Sequence, residues 1–350
     1  MKMGGIKTLH VNAQEPYDVF IGEDILGETS CFARLEGVRD ILAVCDGRVL
    51  SLWGDALERF FSSLPSRVTV MTVDSAENDK NMDSVMRAAE IMSSRGFSRE
   101  SCVMGVGGGA VTDLAGFISD IYMRGVKLIN VPTSIIAMTD SSVGGKNALD
   151  FGGKKNLLGT FRQPSMVIAD SMFLKTMSPA QLGEGYGEVI KYDIISGRDI
   201  SLIQDLPRMI YECLSLKADF VAEDEFDRGR RNLLNFGHTF GHAYEALSGY
   251  SISHGAAVGY GMKTVCAWAA AEGIAPGSLY RDLVGKLDSR GITGMPGMDD
   301  DDVAELVRYD KKNSGEDVLL VVAKRPGELE TVSIPLKDIP SVLGKARSWM

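Results

Sequence analysis

Three of the four histidines in this 350-residue chain fall within 17 residues, as His238, His242 and His254. Imidazole is a good ligand for zinc, and a catalytic zinc commonly takes three protein ligands and keeps a fourth position open. In NFGHTFGHAYEAL, His238 and His242 stand four apart, so a helix would set both rings on one face. A carboxylate would complete the set. Glu184 and Glu188 in QLGEGYGEVIKY are both candidates, and Glu188 and Lys191 are spaced i,i+3 on a short helical stretch. Spacing leaves open which two histidines bind the metal. Glycines sit beside each (Gly237, Gly241, Gly255), which speaks for a crowded site over three ordinary core histidines. His10 stands apart from the window and reads as an ordinary side chain.

The segment before the histidines extends the pattern. Arg231, Asn235, His238 and His242 follow at spacings of 4, 3 and 4, so one continuous helix would carry all four on a single polar stripe. The acids Glu223, Asp224, Glu225 and Asp227 around Lys217 and Arg231 would by themselves suggest a solvated face. A stripe that also carries metal-type ligands points instead to a site.

A second chemistry, anion binding, is legible earlier in the chain. CVMGVGGGA (102–110) is a buried strand running into Gly107, Gly108 and Gly109 and then a helix. Glycines there allow close backbone approach, and the free N–H groups of a helix start favour a pyrophosphate. The loop follows the third expected strand where an ordinary dinucleotide fold has it after the first. The acid best placed to hold a ribose hydroxyl is therefore Asp46, at the end of an earlier strand. Residues 132–156 then carry two GGK tripeptides, at Lys146 and Lys155, in what reads as a loop. Lysine supplies a compact positive charge and Gly-Gly lets backbone close on a charged ligand. Asp140 is near enough in sequence to orient one of these ammonium groups.

These residues need a scaffold. Short β-branched runs at 39–46, 66–74, 100–107, 126–133 and 164–170 alternate with helical patterns, which indicates βαβ units and a mainly parallel sheet. After Pro179 the apolar spacing becomes three and four, as in helices. Ser178 fits an N-cap with Pro179 in the first turn, so the boundary falls there. The expected architecture is an α/β nucleotide-binding domain over 1–177 and an all-α, metal-binding domain over 178–350. A chain of this length suits two domains of roughly 150 residues.

Composition narrows the function classes. With 37 Lys+Arg against 47 Asp+Glu the net charge is −10, which disfavours nucleic acid as a partner. It says nothing against a small anionic substrate, which feels the local field of its cleft. No apolar run approaches the roughly 18 residues of a spanning helix, and the first twenty residues contain no signal-peptide h-region. Cysteines at 31, 45, 102, 213 and 266 form an odd set without a CxxC, the pattern of reduced thiols in the cytoplasm.

From about residue 40 to 315 the chain carries, in order, GGGAVTDLAGF, YMRG, PTS…DSSVGGK…GGKKN, FRQP, FLKTM, GEGYGEVIK, KADFVAEDE, LNFGHTFGHAYE, HGAAVGYGM and DKKN. This ordered set resembles the 3-dehydroquinate synthase family. The resemblance implies a homodimeric cytoplasmic carbon–oxygen lyase of the shikimate pathway that uses NAD and one divalent metal, Zn²⁺ or Co²⁺. Its substrate would be a phosphorylated sugar acid, 3-deoxy-D-arabino-heptulosonate 7-phosphate, converted to 3-dehydroquinate and phosphate. Carried over residue by residue, the metal ligands fall on Glu188, His238 and His254, and His242 matches a catalytic histidine facing substrate. Substrate contacts match Asp140, Lys146, Asn156, Lys191, Lys217, Arg231, Asn235 and a lysine of the DKK run, taken as Lys311. Arg124 matches an arginine offered to the neighbouring subunit. NAD contacts match Asp46, Glu77, Lys80, Gly107, Gly108, Gly109, Asp113, Thr133, Ser134, Lys146, Lys155 and the segment Phe173, Leu174, Lys175, Thr176. Two positions depart from the family pattern: Thr112 stands where glycine is usual, and Ala76-Glu77 where Gly-Glu is usual. Related metal-dependent polyol dehydrogenases share the histidine strings but have no use for an anion-binding lysine cluster. Other sugar phosphate cyclases act on substrates without a carboxylate, so Lys217 and Arg231 favour the dehydroquinate reading.

Overall fold

The computed structural model describes residues 5–28, 35–74, 77–311 and 316–350, the side chains of 309–311 excepted. Cys31, Ala76 and Lys312 lie outside the described residues, as does the side chain of Lys311. Packing divides the chain into two units. One comprises residues up to Met177 together with Gln204–Phe226, and the other Ser178–Ile203 together with Asp227–Met350.

The first unit opens with strands β1 (Lys7–Val11) and β2 (Tyr17–Gly22). Then come β3 (Asp40–Asp46), α1 (Gly47–Ser63), β4 (Arg67–Val73), α2 (Met82–Ser94), β5 (Cys102–Gly107), α3 (Gly109–Ile121) and β6 (Lys127–Pro132). Strands β7 (Lys146–Phe151), β8 (Lys154–Phe161) and β9 (Met166–Asp170) follow. Seven of these strands form one sheet in the order β1-β2-β9-β6-β5-β3-β4, parallel throughout except for β1 against β2. The five strand runs read from the sequence are β3, β4, β5, β6 and β9. Strands β5 and β9 are buried at every residue, and β3 at all but Asp46, which explains their continuous apolar runs: helices cover both sheet faces. From β3 the chain moves outward to β4 and then returns to β5 on the other flank of β3. The order reverses between β3 and β5, and such a switch point leaves a ligand crevice outside the carboxyl ends of the two strands.

The sequence reading treats 132–156 as a loop, but it contains most of a hairpin. Strands β7 and β8 pair antiparallel, with Gly152 and Gly153 at φ +60° and +75° forming the reversal that glycine tolerates. Its alternation is too weak to read beside so many glycines and lysines.

Beyond β9, the carboxylate of Asp170 is fully buried and accepts backbone N–H groups from Asp24 (2.8 Å), Ile25 (2.7 Å), Leu26 (3.2 Å) and Met172 (3.0 Å). Burial pushes its pKa up, opposed by these four donors. The carboxylate thus fixes the 3₁₀ turn Ser171–Thr176 to the end of the sheet. Asp170→Ala leaves those donors without a partner and should cost about 3 kcal/mol or more, read as a lowered urea midpoint. A midpoint equal to wild type would show that the clamp contributes nothing.

Helix α4 (Pro179–Ser196) opens the second unit, with Ser178 and Gln181 making a reciprocal capping box and Pro179 in the first turn. The one cut expected at 177/178 does not describe the packing, because helix α5 (Leu206–Glu223) belongs to the first unit. Its buried face, with Met209, Ile210, Cys213, Leu214 and Val221, lies on β1 and β2. The rest of the second unit is α6 (His238–Leu247), α7 (His254–Ala271), α8 (Gly277–Asp288), α9 (Asp300–Lys311), β10 (Asp317–Arg325), β11 (Glu328–Pro335) and α10 (Ile339–Trp349). The unit is helical as expected, with one addition: β10 and β11 form an antiparallel hairpin. Helix α7 is rich in alanine and glycine and buried on nearly all faces, the mark of a central helix.

Cys45, Cys102, Cys213 and Cys266 are buried free thiols, and burial pushes Cys45 and Cys266 up to about 12, which keeps them unreactive. Among the described residues, no helix is long and apolar enough to cross a membrane.

Candidate metal and nucleotide sites

In the second unit three helices cross with backbone against backbone. A Cβ on Gly187 of α4 would stand 1.9 Å from the Gly255 carbonyl oxygen of α7, and one on Gly255 would stand 2.2 Å from the Glu184 carbonyl. A Cβ on Gly261 of α7 would stand 1.9 Å from the carbonyl of Gly237, the residue that opens α6. The neighbours of these glycines in sequence are Glu188, His254 and His238. Close crossing is what lets side chains from three separate helices converge.

They do converge. Glu188 Oε1 lies 3.1 Å from His254 Nε2 and 3.3 Å from His238 Nε2. One ligand atom from each residue lies within 4.8 Å of the other two. The opposite ring nitrogens are engaged, His238 Nδ1 with the Phe236 carbonyl (3.3 Å) and His254 Nδ1 with Glu245 Oε2 (3.2 Å). Such outer partners present the Nε2 lone pairs inward. Glu188 Oε2 pairs with Lys191 Nζ at 2.6 Å, both side chains being buried. Burial disfavours the Glu188 carboxylate, yet Lys191, His238 and His254 outweigh it and hold the carboxyl well below its usual range. Burial, with Lys191 and His254 nearby, lowers the pKa of His238 against the pull of Glu188. Burial also opposes the His254 imidazolium, but hydrogen bonds to Glu188 and Glu245 carry its pKa up to about 10. Two imidazoles and an anionic carboxylate on packed helices are a donor set that fits a divalent cation such as zinc.

The alternatives left open by spacing are now separated. His242 stays outside the donor set: it is exposed, its ring centroid 5.4 Å from that of His238 and 5.8 Å from that of His254. Glu184 is not part of the cluster either. The polar stripe from Arg231 to His242 is not one helix. Arg230–Asn235 forms a 3₁₀ turn, and Gly237 at φ +83° separates it from α6. A continued α-helix would need a negative φ there, and in the left-handed turn that Gly237 makes, any Cβ would stand 2.7 Å from the Val258 carbonyl. Arg231 is buried, and Asn235 Nδ2 donates to Asn232 Oδ1 at 3.4 Å. Glu245 escaped the sequence reading. The signal was there, since it follows His238 by seven residues, two helical turns.

The first unit holds the elements that the sequence suggests for anion binding. Gly107 ends β5, and a Cβ on it would strike the Val111 side chain at 2.6 Å. Gly108 caps α3 without a side-chain hydrogen bond at that cap among the described residues, and backbone N–H groups at a helix start favour an anion. The Thr133 N–H donates to the Gly107 carbonyl at 2.9 Å, and Ser134 Oγ would lie 3.4 Å from a Cβ on Gly108. Thr112, the departure from the family pattern, is buried and donates its hydroxyl to the Gly109 carbonyl at 3.0 Å, within its own helix. At the other lip of the switch point, Asp46 ends β3 and accepts the N–H groups of Arg48 (2.8 Å) and Val49 (3.1 Å).

Nearby polar residues form a network. Lys80 Nζ pairs with Asp113 Oδ2 at 2.7 Å and donates to Asn156 Oδ1 at 2.5 Å. Asn156, at φ +53°, is held by its N–H to Asp150 Oδ1 at 2.8 Å. Burial pushes Asp113 up, opposed by Lys80. Lys155 pairs with Glu77 at 2.5 Å. Asp140 engages a lysine from another element, Lys217 of α5. It sits in the turn Ala137–Ser141 and binds the Lys217 ammonium from α5 through its carboxylate and, at 2.9 Å, its carbonyl. Lys146 is exposed at the start of β7.

Leu174 is buried, and exposed Lys175 pairs with Glu23 at 2.6 Å. Phe173 meets Trp53 edge-on at 5.6 Å, and Thr176 Oγ1 accepts the Trp53 indole N–H at 3.0 Å. Trp53, which carries no signal in the sequence, reaches this segment from a kink in α1. Arg124 is exposed in a turn with Met123 and Arg124 at φ +49° and +67°.

Solved structures of similar fold include sugar phosphate cyclases. One is 2-deoxy-scyllo-inosose synthase complexed with carbaglucose-6-phosphate, NAD⁺ and Co²⁺, at TM-score 0.89 and 23% identity, covering 98% of this chain and 100% of that one. Another is 2-epi-5-epi-valiolone synthase from Streptomyces hygroscopicus subsp. jinggangensis 5008 with NAD⁺ and Zn²⁺ bound, at TM-score 0.83 and 21% identity, covering 99% of each chain. The fold is therefore that of the sugar phosphate cyclases. The family models for the 3-dehydroquinate synthase N-terminal and C-terminal domains match residues 70–184 and 185–313. A 3-dehydroquinate synthase of Lactiplantibacillus plantarum is 37% identical over 87% of this chain and 89% of its own length. The chain belongs to the 3-dehydroquinate synthase family.

Proposed function

We propose that the protein converts 3-deoxy-D-arabino-heptulosonate 7-phosphate to 3-dehydroquinate and phosphate, the second step of the shikimate pathway. The observation that carries this reading is the convergence of buried Glu188 with half-buried His238 and His254 in a chain of this family. The route is transient oxidation of a carbinol carbon, β-elimination of phosphate, re-reduction, ring opening and intramolecular aldol closure. When bound, NAD supplies a hydride acceptor that is regenerated in each cycle, and Zn²⁺ or Co²⁺ supplies a Lewis acid for neighbouring oxygens.

The chain's own groups do the rest. Glu188, His238 and His254 hold the metal, and Lys191 keeps Glu188 anionic. His242, exposed beside them, takes and returns the hydroxyl proton, a task suited to an imidazole, whose ring nitrogens can both accept and donate one. Lys146, Asn156, Asn235, Arg124 and Lys311 bind the phosphate. Lys217, fixed by Asp140, and Arg231 bind the carboxylate, the guanidinium as a two-pronged donor. Asp46, Glu77, Lys80, Gly107, Gly108, Gly109, Asp113, Thr133, Ser134, Lys146, Lys155 and Phe173 to Thr176 hold the dinucleotide. The departing phosphate removes the C–H proton itself. On this reading the enzyme is a cytoplasmic carbon–oxygen lyase, and it works as a homodimer in which Arg124 serves the neighbouring subunit.

Phosphate release from the heptulosonate phosphate tests the proposal. Release should require catalytic NAD, stop with chelator and accumulate no NADH. Release without either cofactor would sink it, and net NADH from a neutral polyol would favour a dehydrogenase instead. The fold similarity to inosose and valiolone synthases motivates a second reading, cyclisation of a sugar phosphate without a carboxylate. Release from such a substrate, and none from the heptulosonate, would establish it.

A further inference from the structure

We infer that Glu245 is a positioning residue of the metal site, fixing the ring of His254 so that Nε2 faces the cation. The inference rests on the reading of Glu188, His238 and His254 as ligands. His254 is held at both ring nitrogens: Nε2 lies 3.1 Å from Glu188 Oε1 and Nδ1 lies 3.2 Å from Glu245 Oε2. Turning the ring breaks both contacts. Glu245 is itself nearly buried, its side chain 9% exposed, and belongs to α6 where His254 belongs to α7. Helix α6 thus supplies one ligand directly, through His238, and orients the ligand of its neighbour through Glu245.

The two imidazoles are not equivalent. The outer partner of His238 is a neutral backbone carbonyl, that of Phe236 at 3.3 Å, whereas His254 has a carboxylate. A carboxylate accepting from Nδ1–H fixes that tautomer and makes Nε2 the more basic donor. Glu245 therefore sets both the direction and the strength of the His254 bond to metal.

Zinc affinity decides the matter. The full-length protein, stripped of metal, is titrated with Zn²⁺ against a chromophoric chelator. Glu245→Gln keeps an acceptor without the charge and should weaken affinity about 10-fold, and Glu245→Ala about 100-fold. Imidazole nitrogen NMR of the zinc-loaded wild type should show His254 as the Nδ1–H tautomer, with that signal lost or shifted in Glu245→Ala. Tyr244→Phe removes the Tyr244–Thr264 hydrogen bond between the same two helices (2.8 Å) without touching His254. It should leave zinc affinity within about two-fold of wild type, unlike loss of an outer-sphere partner. Wild-type affinity in both Glu245 variants overturns the inference while leaving the ligand reading intact. Equal losses in Tyr244→Phe and Glu245→Ala also overturn it, since helix loosening would then explain both. A wild type that binds no zinc overturns the ligand reading and this inference together.

Discussion

His238→Ala should give a folded protein that no longer retains zinc, whereas His242→Ala should keep its zinc and lose turnover. The two rings are one helical turn apart and their centroids lie 5.4 Å apart, so residue type and spacing alone hardly separate them. The donor geometry does. His238 points Nε2 at Glu188 from a partly buried position, and His242 is exposed beside the cluster. Loss of a direct ligand should cost more than the 10- to 100-fold in affinity typical of an outer-sphere partner, so metal content should fall to background after mild chelation. Loss of a proton-transfer group should lower kcat by about 10²- to 10⁴-fold with zinc stoichiometry unchanged. Metal analysis beside phosphate release reads both outcomes. Metal loss from His242→Ala alone would reverse the assignment of ligand and proton shuttle.

What the sequence could convey depended on how local the physics was. Strands β3, β5 and β9 were legible because burial on both faces leaves unbroken apolar runs, and the Ser178–Pro179 start of α4 because capping is a contact three residues long. The β7–β8 hairpin reads as a loop in sequence because its glycines and lysines mask the alternation. Residues 204–226 pack with the first unit although they follow Pro179, and nothing within α5 says which sheet its apolar face will meet. In the metal cluster the histidines were visible as a window, but the carboxylate was ambiguous between Glu184 and Glu188. The tie is broken by which residue the α4–α7 crossing turns inward, a tertiary fact. Glu245 and Trp53 were missed for the same reason: each acts on a group distant in sequence. The stripe from Arg231 to His242 failed differently, because one left-handed glycine, Gly237, ends a periodicity that spacing alone extends.

Gly187→Ala should abolish tight zinc binding without altering any ligand. The added methyl would sit 1.9 Å from the Gly255 carbonyl oxygen, and backbone cannot swing aside as a side chain can. Carbon and oxygen approach no nearer than roughly 3.3 Å even in their closest favourable contacts, so α4 must draw away from α7 by an ångström or more. Glu188 rides on α4 next to that methyl, and His254 starts α7 next to Gly255. Their 3.1 Å approach would open by a comparable amount, whereas metal–ligand distances tolerate about 0.2 Å. The global cost should be that of an overpacked core, about 1–3 kcal/mol, which leaves a folded protein to examine. Gly285→Ala, in α8 with nothing within 4 Å of the new Cβ, is the matched control. It should be neutral or stabilise by about 0.4–1 kcal/mol, through the unfolded chain, and keep its zinc. Zinc titration and urea unfolding of the two variants separate the effects. If Gly187→Ala bound zinc as wild type does, the close crossing of α4 and α7 would not be what assembles the site.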